Sequence, residues 1–208
     1  MVRCHGLLAL ALLQQAQVRT PRIEVRSTEA SLILPSAMTV ALKKFDPDFT
    51  PRLLTDYPDW VWRSDCSPQP RCRASHLYQF SSSQALLAVI GDFNGDGALD
   101  VVVDGDNKTT GRRLAIMSSS RAFTVSEISA LEHISISRKV WAAARELGLQ
   151  SVGLNSGMYL VTKRTLRSSY EAKPLVLSAD AYEDTVWEKA SVVHYYRGGT
   201  WWDYITSD

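Results

Sequence analysis

No stretch of this chain approaches the roughly 20 consecutive apolar residues that a membrane-spanning helix requires, so nothing in it predicts a membrane span. Charge of one sign is missing as well. Lys and Arg together number 23 against 22 Asp plus Glu, with no run of like charges, so there is no electrostatic reason to expect nucleic acid or an anionic membrane as partner. Histidines number only four, and none has the i, i+4 partner of a zinc-binding helix. Cysteines number three, too few for a disulfide-built scaffold, and two thiols alone make a poor zinc site.

What is present is the composition of an ordinary globular protein of 208 residues, 45% apolar and 22% charged, with length for one sizeable core or two small ones. The N-terminus has the pattern of a secretory leader: Arg3 and His5, an apolar stretch from Leu7 to Leu13, then a polar exit at Gln14 to Gln17. Residues 1–17 are therefore expected to be a signal peptide, and the product to be secreted or periplasmic. Removal of Cys4 with the leader leaves Cys66 and Cys72, separated by Ser67, Pro68, Gln69, Pro70 and Arg71; an even count in an exported chain favours a disulfide. Chain-entropy arithmetic assigns so small a loop about 2 kcal/mol.

Residues 18–83 read as an N-terminal helix followed by an irregular segment pinned by that disulfide. Pro35 suits a first helical turn, Met38, Ala41, Leu42 and Phe45 share a face, and Pro47 ends the helix. From Thr50 to Ser83 the periodicity fails, and Tyr57, Trp60 and Trp62 are expected to tack the segment onto the core. Residues 84–208 read as a β-rich domain forming one globular unit with that segment. Ala85–Ile90 and Leu99–Val103 should pair as a hairpin, and Arg113–Met117 and Ala122–Ile128 should extend it to a four-stranded meander. Arg138–Leu147 has a helical face ended by Gly148. Strands are expected again at Met158–Thr162, Leu175–Leu177, Val192–Tyr196 and Trp201–Ile205. Gly198 and Gly199 can supply the two positive φ angles of a type I′ turn, which sets His194 opposite Asp203, Tyr195 opposite Trp202 and Tyr196 opposite Trp201. The predicted class is α+β, mainly antiparallel sheet with one or two short helices and a calcium loop within a β-hairpin.

That loop is where the chemistry concentrates. Calcium takes six to eight hard oxygens, and Asp92, Asn94, Asp96 and Asp100 recur at the spacing that supplies them from one tight turn. Gly95 and Gly97 permit the sharp backbone path, and the Ala98 carbonyl falls where a main-chain oxygen is usually contributed. An EF-hand would carry glutamate at the twelfth position between helices; Val103 stands there and the flanks read as strands. Three carboxylates within nine residues would repel one another in a merely solvated turn. The run Val89 to Val103, with Asp92, Phe93, Asn94, Gly95, Asp96, Gly97, Ala98, Leu99 and Asp100 at its centre, resembles one FG-GAP or VCBS-type repeat of exported bacterial-type proteins. The resemblance implies a calcium-stabilised hairpin with Asp92, Asn94, Asp96 and Asp100 at the ligand positions. Such repeats usually recur to build propeller blades, whereas no second copy is found here, and Asp180 to Asp184 lacks the glycines of one.

Other polar residues invite a catalytic reading. His194 facing Asp203 offers an oriented imidazole without a recognisable nucleophile. Asp104 and Asp106 extend the acidity beyond the hairpin; Asp46 and Asp48, or Asp180, Glu183 and Asp184, would have to meet in space to serve a glycosidase. The tyrosines and tryptophans at Tyr195, Tyr196, Trp201, Trp202 and Tyr204 suit packing or sugar stacking. The expectation is a non-catalytic exported calcium-binding module, its protein or carbohydrate partner unspecified by any motif, with a secreted hydrolase as the alternative.

Overall fold

A computed structural model describes residues 19–26, 29–57, 61, 78–107, 110–119, 122–128, 156–187 and 190–207. In chain order these form β1 (Arg22–Arg26), β2 (Glu29–Ile33), α1 (Ser36–Phe45), β3 (Thr50–Pro51), a 3₁₀ turn (Leu54–Asp56), β4 (Gln84–Ala85), β5 (Ala88–Gly91), β6 (Asp100–Asp106) and β7 (Gly111–Ser118). There follow β8 (Phe123–Glu127), β9 (Ser156–Val161), β10 (Thr165–Leu166), β11 (Leu175–Val176), β12 (Ala181–Val186), β13 (Ala190–Arg197) and β14 (Thr200–Ser207). Every described strand pairing is antiparallel, and α1 is the α-helix whose bounds are described.

Two sheets carry the architecture. The first runs β4-β5-β6-β7-β8, with β3 added alongside the far end of β6. The second runs β14-β13-β12-β9. The meander expected from the apolar runs is thus present, and β7 shows why those runs lack alternation. Its Leu114 and Ile116 join a cluster with Met38 and Leu42 of α1, while Ala115 and Met117 pack with Met158 and Tyr182 of the second sheet. A strand buried on both faces needs apolar residues at every position. Beyond the second sheet, Val161, Ala181, Val193 and Tyr204 form a further cluster with Leu166, Leu175 and Leu177 from the β10–β11 pair and the turn after it.

The helix begins where Pro35 places it, with the Thr39 N–H donating to the Pro35 carbonyl, and Lys43 and Lys44 sit in its last turn, where cations suit the helix dipole. Upstream of α1 the chain also forms β1 and β2, the segment expected to be irregular from Thr50 contributes β3, and Ile23, Leu54 and buried Tyr57 share a core cluster with Val101 and Leu114. The leader, Cys66 and Cys72, Trp60 and Trp62, and the helix expected at 138–147 lie outside the described residues.

The Gly198–Gly199 turn has φ of 62° and 90°, and it sets the expected register, His194 opposite Asp203, Tyr195 opposite Trp202 and Tyr196 opposite Trp201. Strand β12 was not anticipated. It lies at the centre of the second sheet, between β13 and β9.

Candidate metal centre

The segment between β5 and β6 is wound around one carboxylate. Asp92 Oδ1 accepts the N–H groups of Gly95 and Asp96 at 2.8 and 3.0 Å, and its Oδ2 accepts that of Gly97 at 3.0 Å. Gly97, with φ of 84°, occupies the sixth loop position, where a calcium loop turns most sharply. Asn94 Oδ1 shares the Asp96 N–H at 2.9 Å, so an oxygen of Asp92 and one of Asn94 meet at the same donor. Asp96 Oδ1 in turn accepts the Ala98 N–H at 2.9 Å. Residues 95–99 form an exposed tip, standing on a base of buried Phe93 and buried Asp100.

Asp100 closes that base. Its Oδ2 accepts the N–H groups of Phe93 and Asn94 at 2.9 and 3.3 Å, and its Oδ1 accepts the N–H and hydroxyl of Ser118 at 2.6 and 2.7 Å. A carboxylate has about four acceptor sites, and here all four are occupied. Burial pushes the Asp100 carboxyl above the usual range, opposed by these hydrogen bonds. Ser118, at the end of β7, also supplies a carbonyl to Asn94 Nδ2 at 2.8 Å. The loop is therefore tied to the neighbouring β7 as well as closed on itself.

A second tie comes from across the molecule. The Asp92 N–H donates to Asp180 Oδ2 at 3.1 Å, and the Asp180 N–H donates to the Asp92 carbonyl at 3.0 Å. No family model, curated protein or solved structure matches this chain. Asp92, Asn94, Asp96, Ala98 and Asp100 all lie within one turn, as their spacing requires. Among the described residues no group of three His, Cys, Asp or Glu side chains stands ready as a metal cage. In this loop the carboxylate oxygens are directed onto backbone N–H groups, and two of the five expected donors are an amide and a carbonyl.

Sequence reasoning missed Ser118 and Asp180 as supports of the loop. Ser118 opens the run Ser118 to Ser120, whose composition points to a turn and not to a loop support, and Asp180 is 88 positions from its partner, which no local pattern can express.

The remaining candidates disperse. His194 Nδ1 lies 2.7 Å from Asp203 Oδ1, its ring stacks on Tyr182 at 4.7 Å, and its buried Nε2 has no hydrogen-bond partner among the described residues. The nitrogen that a general base would present is thus turned into the protein. That hydrogen bond holds the Asp203 carboxyl below its ordinary range. Asp104 and Asp184 are both bound to buried Arg113, while Asp46 accepts from Asn107 and Arg112. Asp106 pairs with buried Arg52. Of the carboxylates considered for a glycosidase, Asp46 and Asp184 are thus engaged in separate structural contacts.

Proposed function

We propose that this chain is an exported, non-catalytic protein whose Asp92–Asp100 loop binds calcium as a structural ion, locking the end of the β5–β6 hairpin for binding or envelope-associated work. One observation carries the proposal: three successive N–H groups, those of Gly95, Asp96 and Gly97, converge on the Asp92 carboxylate, bending the chain so that Asp92, Asn94 and Asp96 share one turn. The donors offered are carboxylate, amide and carbonyl oxygens, the hard ligands calcium prefers over softer metals. Asp92, Asn94, Asp96, Ala98 and Asp100 would hold the ion. Asp100 must exchange one of its four hydrogen bonds to touch calcium, or reach it through water as ninth-position residues often do. The bound ion offsets the repulsion of three carboxylates. Export rests on the leader-type N-terminus, and the buried Nε2 of His194 supports the non-catalytic reading.

The test is thermal unfolding in calcium and in chelator. Extracellular modules bind calcium with dissociation constants near 0.1 to 1 mM; at about 2 mM calcium and the tighter limit, RT ln(1 + [L]/Kd) is about 1.8 kcal/mol. For a chain of this size that raises Tm by roughly 4 to 7 °C. Asp96→Ala should erase most of the rise, and magnesium should substitute poorly because it demands near-octahedral geometry. Equal Tm in calcium and chelator, with no heat of binding by calorimetry, would refute the proposal.

A further inference from the structure

Beside the calcium loop, a groove of about 380 Å³ opens between the extended segment 174–180 and the end of β13 at Tyr195, Tyr196 and Arg197. Its existence follows from the topology. Ala181 is the first residue of β12 paired with β13, opposite Tyr195, so upstream of it the chain leaves β13 and, among the described residues, no strand pairs with the strand end on that side. We infer that this groove is a binding site for a neutral saccharide, and that its occupancy is linked to calcium in the adjacent loop.

The lining decides the ligand class. Among the described residues that line it, Arg197 and Asp180 are the ionic side chains, one of each sign, so this lining favours neither a phosphate nor a cation. Among the described residues, the Tyr195 and Tyr196 hydroxyls and the Arg197 guanidinium have no hydrogen-bond partner, and Asp180 gives one oxygen to the Asp92 N–H while the other accepts no bond. Ser178 adds a hydroxyl, and Leu177 an apolar wall. A neutral charge balance and several uncommitted donors and acceptors, set beside tyrosine and leucine side chains, suit a polyhydroxyl ligand with apolar C–H faces.

The linkage follows from Asp180, which belongs to both sites. It is a wall of the groove and exchanges two hydrogen bonds with Asp92, the first residue of the ion loop. Ala179 lies against the loop as well, with its Cβ 3.5 Å from where a Cβ on Gly95 would stand. Whatever fixes Asp92 also fixes Asp180, and coupling between two binding sites is reciprocal. This linkage rests on the calcium reading, whereas the groove itself does not.

The experiment titrates maltotetraose, cellotetraose and chitotetraose into the full chain, in calcium and in chelator, by saturation-transfer NMR and calorimetry, with calcium affinity measured separately. At least one sugar should bind, with a dissociation constant on the order of 1 mM, and about fivefold or more tighter in calcium than in chelator. Arg197→Ala, an exposed position, should weaken sugar binding about tenfold while leaving calcium affinity in the absence of sugar unchanged. Calcium binding without binding of any of the three sugars overturns the inference and spares the ion site. Sugar binding of equal strength in calcium and chelator, with calcium bound normally, overturns the linkage. Sugar binding to a chain that binds no calcium overturns the ion site and the linkage together, and supports the groove.

Discussion

A buried carboxylate is tolerated when its desolvation is offset by donors, and Asp100 meets this condition with four: the backbone N–H groups of Phe93, Asn94 and Ser118, and the Ser118 hydroxyl. All are donors, so the position demands a group with acceptors on both sides. Asp100→Asn would turn an NH2 toward one pair of them, leaving buried hydrogens facing each other. The expected loss is about 2 to 4 kcal/mol, or roughly 5 to 15 °C in Tm. Measured in chelator by circular dichroism, this isolates the hydrogen-bonding role from any effect of the ion. A variant that melts with the wild type would show that these bonds contribute nothing net. Nothing local in the sequence distinguishes this structural duty of Asp100 from the ligand duty its spacing suggests, because the donors from β7 arrive through sheet pairing 18 residues later.

Among the elements, the β13–β14 hairpin was the most legible, because two consecutive glycines fix a turn type and the turn type fixes the register. The β5 to β8 meander was legible because each strand is a short β-branched or apolar run between turn residues. Strand β12 was hidden for a physical reason. Glu183 and Asp184 break its apolar pattern, yet Asp184 is fully buried because Arg113 reaches it from the other sheet at 2.9 Å. The β1–β2 hairpin was missed because its alternation, with Ile23 and Ala30 inward and charged neighbours outward, spans only five residues on each side. Within the β13–β14 hairpin, removal of the buried imidazole by His194→Ala should cost on the order of 2 kcal/mol near neutral pH, by loss of its stacking on Tyr182 and of its bond to Asp203. Asp203 adds a pH dependence. A carboxylate held below its ordinary value contributes stability that is present above the unfolded pKa and disappears as pH falls through the folded one. The stability gap between wild type and variant should therefore narrow as pH falls below the ordinary carboxylate range, measured by urea unfolding at a series of pH values. A gap that widens with acid would contradict the assignment.

At the scale of the whole molecule, the two sheets meet through an apolar layer with one ionic group set inside it. Phe93 from the β5–β6 loop packs against Tyr182 and Trp201, at ring separations of 6.5 and 5.8 Å, so the candidate metal centre is anchored in this same layer. Arg113 of β7 stands 5.4 Å from the centre of the Tyr182 ring. It forms two hydrogen bonds with Asp104 of its own sheet, at 2.6 and 3.1 Å, and one with Asp184 of the other. Burial drives the Asp104 carboxyl upward, while the facing guanidinium opposes the shift. Such a triad contributes little net stability compared with an apolar filling of the same volume, since desolvation consumes most of the Coulombic gain. Removing its centre is a different matter, because two carboxylates would then face each other in the interior without their bonded counter-charge, leaving Asp104 only the weaker influence of Arg52. Arg113→Leu should cost about 3 to 5 kcal/mol, lowering Tm by roughly 6 to 20 °C. The combined replacement Asp104→Leu, Arg113→Leu and Asp184→Leu should recover most of that loss, because it removes the stranded charges together with their partner. Urea unfolding of both variants separates the two causes. Recovery in the triple variant assigns the damage to uncompensated charge, whereas a triple variant as unstable as Arg113→Leu alone would mean that the ionic group itself holds the sheets in register.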